Sequence, residues 1–390
     1  MEQVLDPETR ELTTSRLRLC SDVVVAPRTR GEEIYYHIES RSQGTFFRVG
    51  YAEYVFLSLL DGRHSVAQAT TLAVRTLGAK ALSQRQAVQT ADWALRQRLV
   101  QPAGIGEGLA EPEKPGTSRW QKYNPFWLKL PLGSPDRLLS ALTPLVGWLF
   151  SPIATLLGCA FMLWGAMTLL SHSAEFGASA ATVLAPNNWL WLAAAWVVLK
   201  LVHELGHGLA CKWHGGEVRD VGVIFVLFAP LAYVDVTSCW RFPNRWQRIH
   251  VAAAGMYVEL LLASLAAILW TQTDSVATRH LLHNVVIMAS LSTLLFNANP
   301  LMRFDGYYIL SDLLGAPNLA EEGSRAVSGG AAWLFFGKPL SSPRQLGARP
   351  WLIRIYGLLS LGWRVLVCAS LLAAAAVLWH GAGLLLAAAG

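Results

Sequence analysis

No Asp, Glu, Lys or Arg occurs between Leu138 and Ala174, and charge is scarce throughout, at 15% of 390 residues. Soluble domains carry about 25%. With 53% hydrophobic residues and 16 Trp, much of this chain has no place in water. A purely soluble enzyme, a collagen-like fibre and a disordered chain are excluded. Cysteine is sparse as well. Cys20, Cys159, Cys211, Cys239 and Cys368 form no CxxC pair and show no regular spacing, so neither a disulfide framework nor a thiolate zinc site is supported. The opening residues, MEQVLDPETRELTTSR, lack the apolar core of a signal peptide. Internal repeats and low-complexity tracts are missing too. What remains is a mainly α, polytopic helical membrane protein with about five transmembrane helices. In front of it lies a small N-terminal α+β, winged-helix-like domain.

The front domain is expected over residues 17–102. VVVAP, EIYYHIES and TFFRVG are short β-rich runs, and three helical patterns follow: YAEYVFLSLL, VAQATTLAVRTL and Ser83 to Leu99. Ser65 and Ser83 are candidate N-caps, and Gly62 and Gly78 candidate stops. Residues 103–137, rich in Pro, Gly and Glu near their start, are expected to be a linker. Residues 138–390 then form the membrane domain.

An apolar segment of about 20 residues crosses a bilayer as a helix. Spans are expected at roughly 146–170, 188–212, 250–271 and 281–302, with a fifth after Pro350 that Arg354 and Arg364 interrupt. The net charge of +6 does not point to nucleic acid, because the basic residues beyond 137 lie in alternate loops. Arg119, Lys122, Lys129 and Arg137 precede span one, whereas the loop after it has no Lys or Arg. Basic residues return after spans two and four, and Arg279 is alone between three and four. By the positive-inside rule the N-terminus and the basic loops face the cytoplasm of an inner (plasma) membrane protein. The C-terminal ends of spans two and four then share one side.

Span two contains His203-Glu204-Leu205-Gly206-His207, an HExxH pattern. Positions i and i+4 share a helix face, so both imidazoles can bind one Zn²⁺. Glu204 lies about 100° around the helix, placed to act as general base. The competing reading is a pair of interfacial histidines beside a snorkelling Glu. Intramembrane ionisable groups are costly and functional by default, which favours the metal. Catalytic zinc usually takes three protein ligands. Asp305, in FNANPLMRFDGYYILSDLL, is the candidate third ligand, because topology puts it on the same side as HELGH. Its alternative is a turn carboxylate before Gly306; Asp312 is a weaker ligand candidate and reads as a solvated residue.

HELGHGLA, the R-W-Q-R-I-H-V-A-A-A-G start of span three and the NP…FDG segment resemble the site-2 protease family of intramembrane zinc metalloproteases. The run NANPLMRFDGYYILSDLLGAPNL is similar to the bacterial peptide zinc metalloprotease subgroup, associated with peptide modification and export. The resemblance covers roughly residues 140–370. It implies one zinc per chain on His203, His207 and Asp305, water activation by Glu204, and contact of the substrate backbone by Asn297 or, preferably, Asn299. Two departures stand out. The third span lacks the Pro and Asn that usually follow its Gly, reading Gly255-Met256-Tyr257-Val258-Glu259, and no PDZ-type insertion is visible. Glu259, inside an apolar helix, is a candidate partner for a ligand histidine, a proton carrier, a residue facing a water-filled cavity, or a structural hydrogen-bonding group. EIYYHIES…FFRVGYAEYVFLSLLDGRHSV is similar to the PqqD-like fold, whose relatives hold ribosomal peptides for modifying enzymes.

VGVIFVLFAPLAYVDVT, broken by Pro230, reads as a hairpin or re-entrant edge that could pair with an extended substrate. Asp235 caps a turn, and His214, His250, His280 and His283 read as interfacial residues. The expected function is a zinc metalloendopeptidase cleaving a peptide or membrane-anchored protein near the cytoplasmic boundary of the lipid bilayer. The alternative is a non-catalytic zinc-containing scaffold for peptide binding, with export or modification partners. A metal transporter leaves the HExxH Glu and the front domain unexplained.

Overall fold

The structure, a computed structural model, describes residues 12–30, 33–40, 45–103, 127–180, 183, 185, 188–226, 229–316, 318–337 and 350–378. It divides into two compact units, residues 1–125 and 126–390.

In the first unit, strands β1 (Arg16–Leu19), β2 (Val23–Arg30), β3 (Glu33–Ser40) and β4 (Thr45–Val49) precede helix α1 (Tyr51–Ser58). Then come β5 (Asp61–Ser65), α2 (Val66–Leu77), α3 (Gln84–Arg96) and β6 (Val100–Pro102). One sheet runs β2-β3-β4 and the other β5-β1-β6. Leu17, Phe56, Leu57, Val66, Ala91 and Leu99 form the core. Ser65 and Ser83 each close a capping box, with Gln68 and Gln86 as the reciprocal partners. Such caps contribute about 1 kcal/mol each. Gly78 caps α2 as expected, but Gly62 does not stop α1. The helix ends earlier because Leu60 is drawn into the core, and Gly62 sits within β5 at φ 82°. β1, β5 and β6 are short strands that the apolar pattern did not reveal.

The second unit begins with β7 (Trp127–Gly133), which pairs antiparallel with β8 (Val221–Val226). Residues 127–137 were expected to be linker; instead they belong to this unit, since β7 extends the hairpin of β8 and β9 (Ala229–Val234) into a sheet ordered β7-β8-β9. Helix α4 (Asp136–Val146) follows. Asp136 accepts from the Val218 amide at 2.8 Å and from Lys212 Nζ at 2.9 Å. The Val218 amide, with help from Lys212, holds its carboxyl below the usual range against the effect of burial.

Further along the chain lie α5 (Pro152–Ser171), α6 (Ser173–Ala180), α7 (Trp189–Trp213), α8 (Arg245–Gln272) and α9 (Val276–Leu291). α9 runs on into a π-helical turn, Ser292–Asn297, and is followed by α10 (Asp305–Leu314), α11 (Leu319–Phe336) and α12 (Pro350–Leu378). Among the described residues five helices are long and apolar enough to cross a membrane: α5, α7, α8, α9 with its π turn, and α12. α5 starts at Pro152 rather than near 146, because a 3-10 turn over Gly147–Phe150 and the Ser151 cap intervene. α8 extends back to Arg245, where Asn244 caps it. α12 passes through Arg354 and Arg364 unbroken; residues 379–390 of the expected fifth span lie outside the described residues.

α8 is the axis of this unit. Its most apolar window is 56% buried, against 17–39% for the other four, and it packs against α5, α7, α9 and α10. Close approach of α7 to α8 depends on Gly206, where a Cβ would stand 2.7 Å from Val258 Cγ2 and 3.0 Å from the Ala254 carbonyl oxygen.

Candidate metal centre

His203 and His207, one turn apart, lie on the buried face of α7. Asp305 opens α10, which starts after the chain has turned out of the π helix. The three meet. Asp305 Oδ2 is 3.0 Å from His203 Nε2, Asp305 Oδ1 is 3.3 Å from His207 Nε2, and the two Nε2 atoms are 3.1 Å apart.

The other ring nitrogens explain which atoms face inward. His203 Nδ1–H donates to Glu259 Oε2 at 2.9 Å, and His207 Nδ1–H donates to the Val251 carbonyl at 2.8 Å. With both Nδ1 atoms protonated, each Nε2 presents a lone pair, and the carboxylate adds more. Three acceptors without a proton among them repel unless a cation lies between them. Ligand atoms about 2.0–2.1 Å from a tetrahedral zinc are roughly 3.3 Å from one another, close to the separations here. The donor set therefore fits zinc.

α8 leaves room beside the two imidazoles. At Gly255 a Cβ would come within 2.5 Å of His207 Nε2 and 2.6 Å of His203 Nε2, so any larger residue would crowd both imidazoles. Gly255 was legible only as part of a family motif; its role follows from the crossing of α7 and α8.

Glu259 is fully buried beside His203. Thr293, in the π turn, donates to Glu259 Oε2 at 3.0 Å, and Lys200 Nζ lies 3.7 Å from the same oxygen. π turns recur at functional sites because they displace one residue of the helical register. Here the turn brings Thr293 to Glu259 and places the buried Asn297 amide 3.5 Å from His203 Nδ1. Neither Thr293 nor the Val251 carbonyl carries a sequence signal.

A cavity of about 280 Å³ opens onto the centre, with Glu204, His207, Asp305, Asp235, Trp240 and Tyr308 in its wall. Glu204 thus faces open space beside the ligand set instead of joining it. Cys239 also lines the cavity. Burial pushes its thiol up to about 12, so without a metal it stays protonated at neutral pH.

Other singled-out residues make different contacts, Asp235 and Asp312 within the same cavity wall. Asn299 accepts from the Leu301 amide at 2.9 Å, closing a turn after the π helix; neither it nor Asn297 lines the cavity. Asp312 is not a solvated residue: it forms an ion pair with Arg248, because α10 packs against the start of α8. Asp235 caps a turn through the Thr237 amide at 3.0 Å and hydroxyl at 2.6 Å. His214 and His250 pair with each other at 3.0 Å. His280 meets Asn188, whereas His283, 1% exposed, is buried against the Phe176 carbonyl instead of lying at an interface.

Apolar helices surround two imidazoles and a carboxylate, with Glu204 in the wall of the adjoining cavity, a donor set and an acid/base group of the kind metal-assisted hydrolysis uses. Residues 191–278 match the family model described as Peptidase family M50, which supports a relation to the site-2 proteases and a metallopeptidase-type hydrolase. No curated protein and no solved structure matches the chain.

Proposed function

We propose that the chain is an intramembrane zinc metalloendopeptidase whose substrate is a peptide or a membrane-anchored protein, cut near the cytoplasmic boundary of an inner membrane. The convergence of His203, His207 and Asp305, with Glu204 facing the adjoining cavity, carries this reading. The positive-inside pattern supports the orientation, and the family match supports the reaction class.

His203, His207 and Asp305 would hold the metal through Nε2, Nε2 and a carboxylate oxygen. Bound there, zinc supplies Lewis acidity toward the scissile carbonyl and lowers the pKa of water. Glu204 takes a proton from water onto its carboxylate as the water oxygen bonds to the carbonyl carbon. It returns that proton to the amine nitrogen as the C–N bond breaks. Glu259 and the Val251 carbonyl keep both ligand imidazoles in the Nδ1–H tautomer throughout. β9, at the edge of its sheet and with Val234 and Asp235 in or beside the cavity wall, is placed to pair with an extended substrate. The front unit, similar to PqqD-like domains, would present the peptide.

The full chain, purified and returned to lipid vesicles, should cleave a candidate membrane-anchored peptide. A zinc chelator should abolish turnover and added zinc should restore it. Peptide binding without any turnover in the zinc-loaded protein would favour the scaffold reading instead.

A further inference from the structure

α8 presents Arg248, Val251, Gly255 and Glu259 at steps of three, four and four residues, which a 3.6-residue helix places on one face. Three of these serve the metal centre as described: the Val251 carbonyl holds His207, Gly255 leaves room, and Glu259 holds His203. Arg248 completes the row, yet it touches no ligand. It reaches α10 instead. Its Nε lies 2.9 Å and 3.2 Å from the two Asp312 oxygens, a terminal nitrogen donates to Oδ1 at 2.6 Å, and another donates to the Phe242 carbonyl at 2.9 Å. The side chains are only 12% and 10% exposed, so water screens the pair little.

Asp312 and Asp305 are seven residues apart on α10, two turns along one face and about 10 Å in rise. Asp305 is the first residue of that helix, reached through the turns after Asn297, and the next residue, Gly306, is seated against the Ala298 carbonyl. The histidines, by contrast, are fixed within a long packed helix. Asp305, at a helix start, keeps its place only as far as its own helix is held against α8.

We infer that the Arg248–Asp312 pair supplies that hold: it locks α10 to α8 in the register that delivers Asp305 to the two imidazoles, and both act as positioning residues for the metal. The inference rests on the proposed zinc centre. Partners that orient ligands are commonly worth 10–100-fold in metal affinity. A planar, forked guanidinium bound at two points also fixes a helix in a way that an ammonium does not.

The test measures zinc affinity of the full chain in lipid nanodiscs by competition with a chromophoric chelator, alongside the visible spectrum of the cobalt-substituted protein. Arg248→Met and Asp312→Asn should each weaken zinc by about tenfold or more, and the cobalt spectrum should lose its tetrahedral character. Arg248→Lys should recover part of the affinity. The double exchange Arg248→Asp/Asp312→Arg should recover more than either reversal alone. Single variants with wild-type zinc affinity would overturn the inference, also if they raise KM, because the pair would then contact substrate rather than position the ligand. A double exchange no better than its worse single member would overturn it as well. If the unaltered chain binds no zinc through His203, His207 and Asp305, the proposed function itself fails, which is a distinguishable result.

Discussion

Glu204→Gln should retain one zinc per chain while lowering turnover of a cleavable substrate by about 10²–10⁴-fold, the range a general base contributes. The amide has nearly the volume and shape of the carboxylate, so the cavity wall stays intact. It cannot accept a proton from water at neutral pH, so the step assigned to Glu204 is lost. Because Glu204 faces the cavity and is not among the three converging ligands, metal content should not follow activity downward. His203→Ala is the counterpart and should lose both. Normal proteolysis by purified Glu204→Gln protein would remove the mechanism.

Gly255→Ala is expected to abolish stoichiometric zinc binding although it touches no ligand in sequence. The added methyl group would stand 2.5 Å and 2.6 Å from the two Nε2 atoms proposed to hold the ion. Relief by a shift of α8 is hindered on every side, since that helix packs against α5, α7, α9 and α10. The same shift would pull the Val251 carbonyl and Glu259 off the imidazoles they orient. Metal analysis after dialysis against trace zinc would check this. A zinc content equal to that of the unaltered chain would show that the ion lies elsewhere.

The three residues proposed as ligands were legible in the chain because their signals are chemical and local. HExxH stands out in an apolar helix, and charge alternation brings Asp305 to the same side although the two segments are some hundred residues apart in sequence. Glu259 was legible as a charge that an apolar helix cannot tolerate alone. What supports these residues was not. Gly255 has no chemistry of its own; only the crossing of two helices makes its missing side chain matter. The Val251 contribution is a backbone carbonyl, invisible in any residue name. Thr293 depends on a π turn that shifts the register by one residue, and no composition announces that. Asn299 precedes Pro300, which favours a break, and the side chain is used in the turn that makes it. Asp312 looked solvated because its partner, Arg248, lies 64 residues earlier and on another helix. The same limit applies to the sheets: β7 sits at the end of a Pro- and Gly-rich stretch, and only its pairing with β8, far along the chain, makes it a strand. Short strands such as β1 and β6 are too brief for alternation to show.

Zinc stoichiometry of the purified full chain, with and without Asp305→Ala, tests the central claim most directly. The account predicts one zinc per unaltered chain. After the substitution it predicts loss of tight binding, as two imidazoles alone hold the ion weakly. One tightly held zinc in both proteins would contradict the three-ligand centre and, with it, the proteolytic reading.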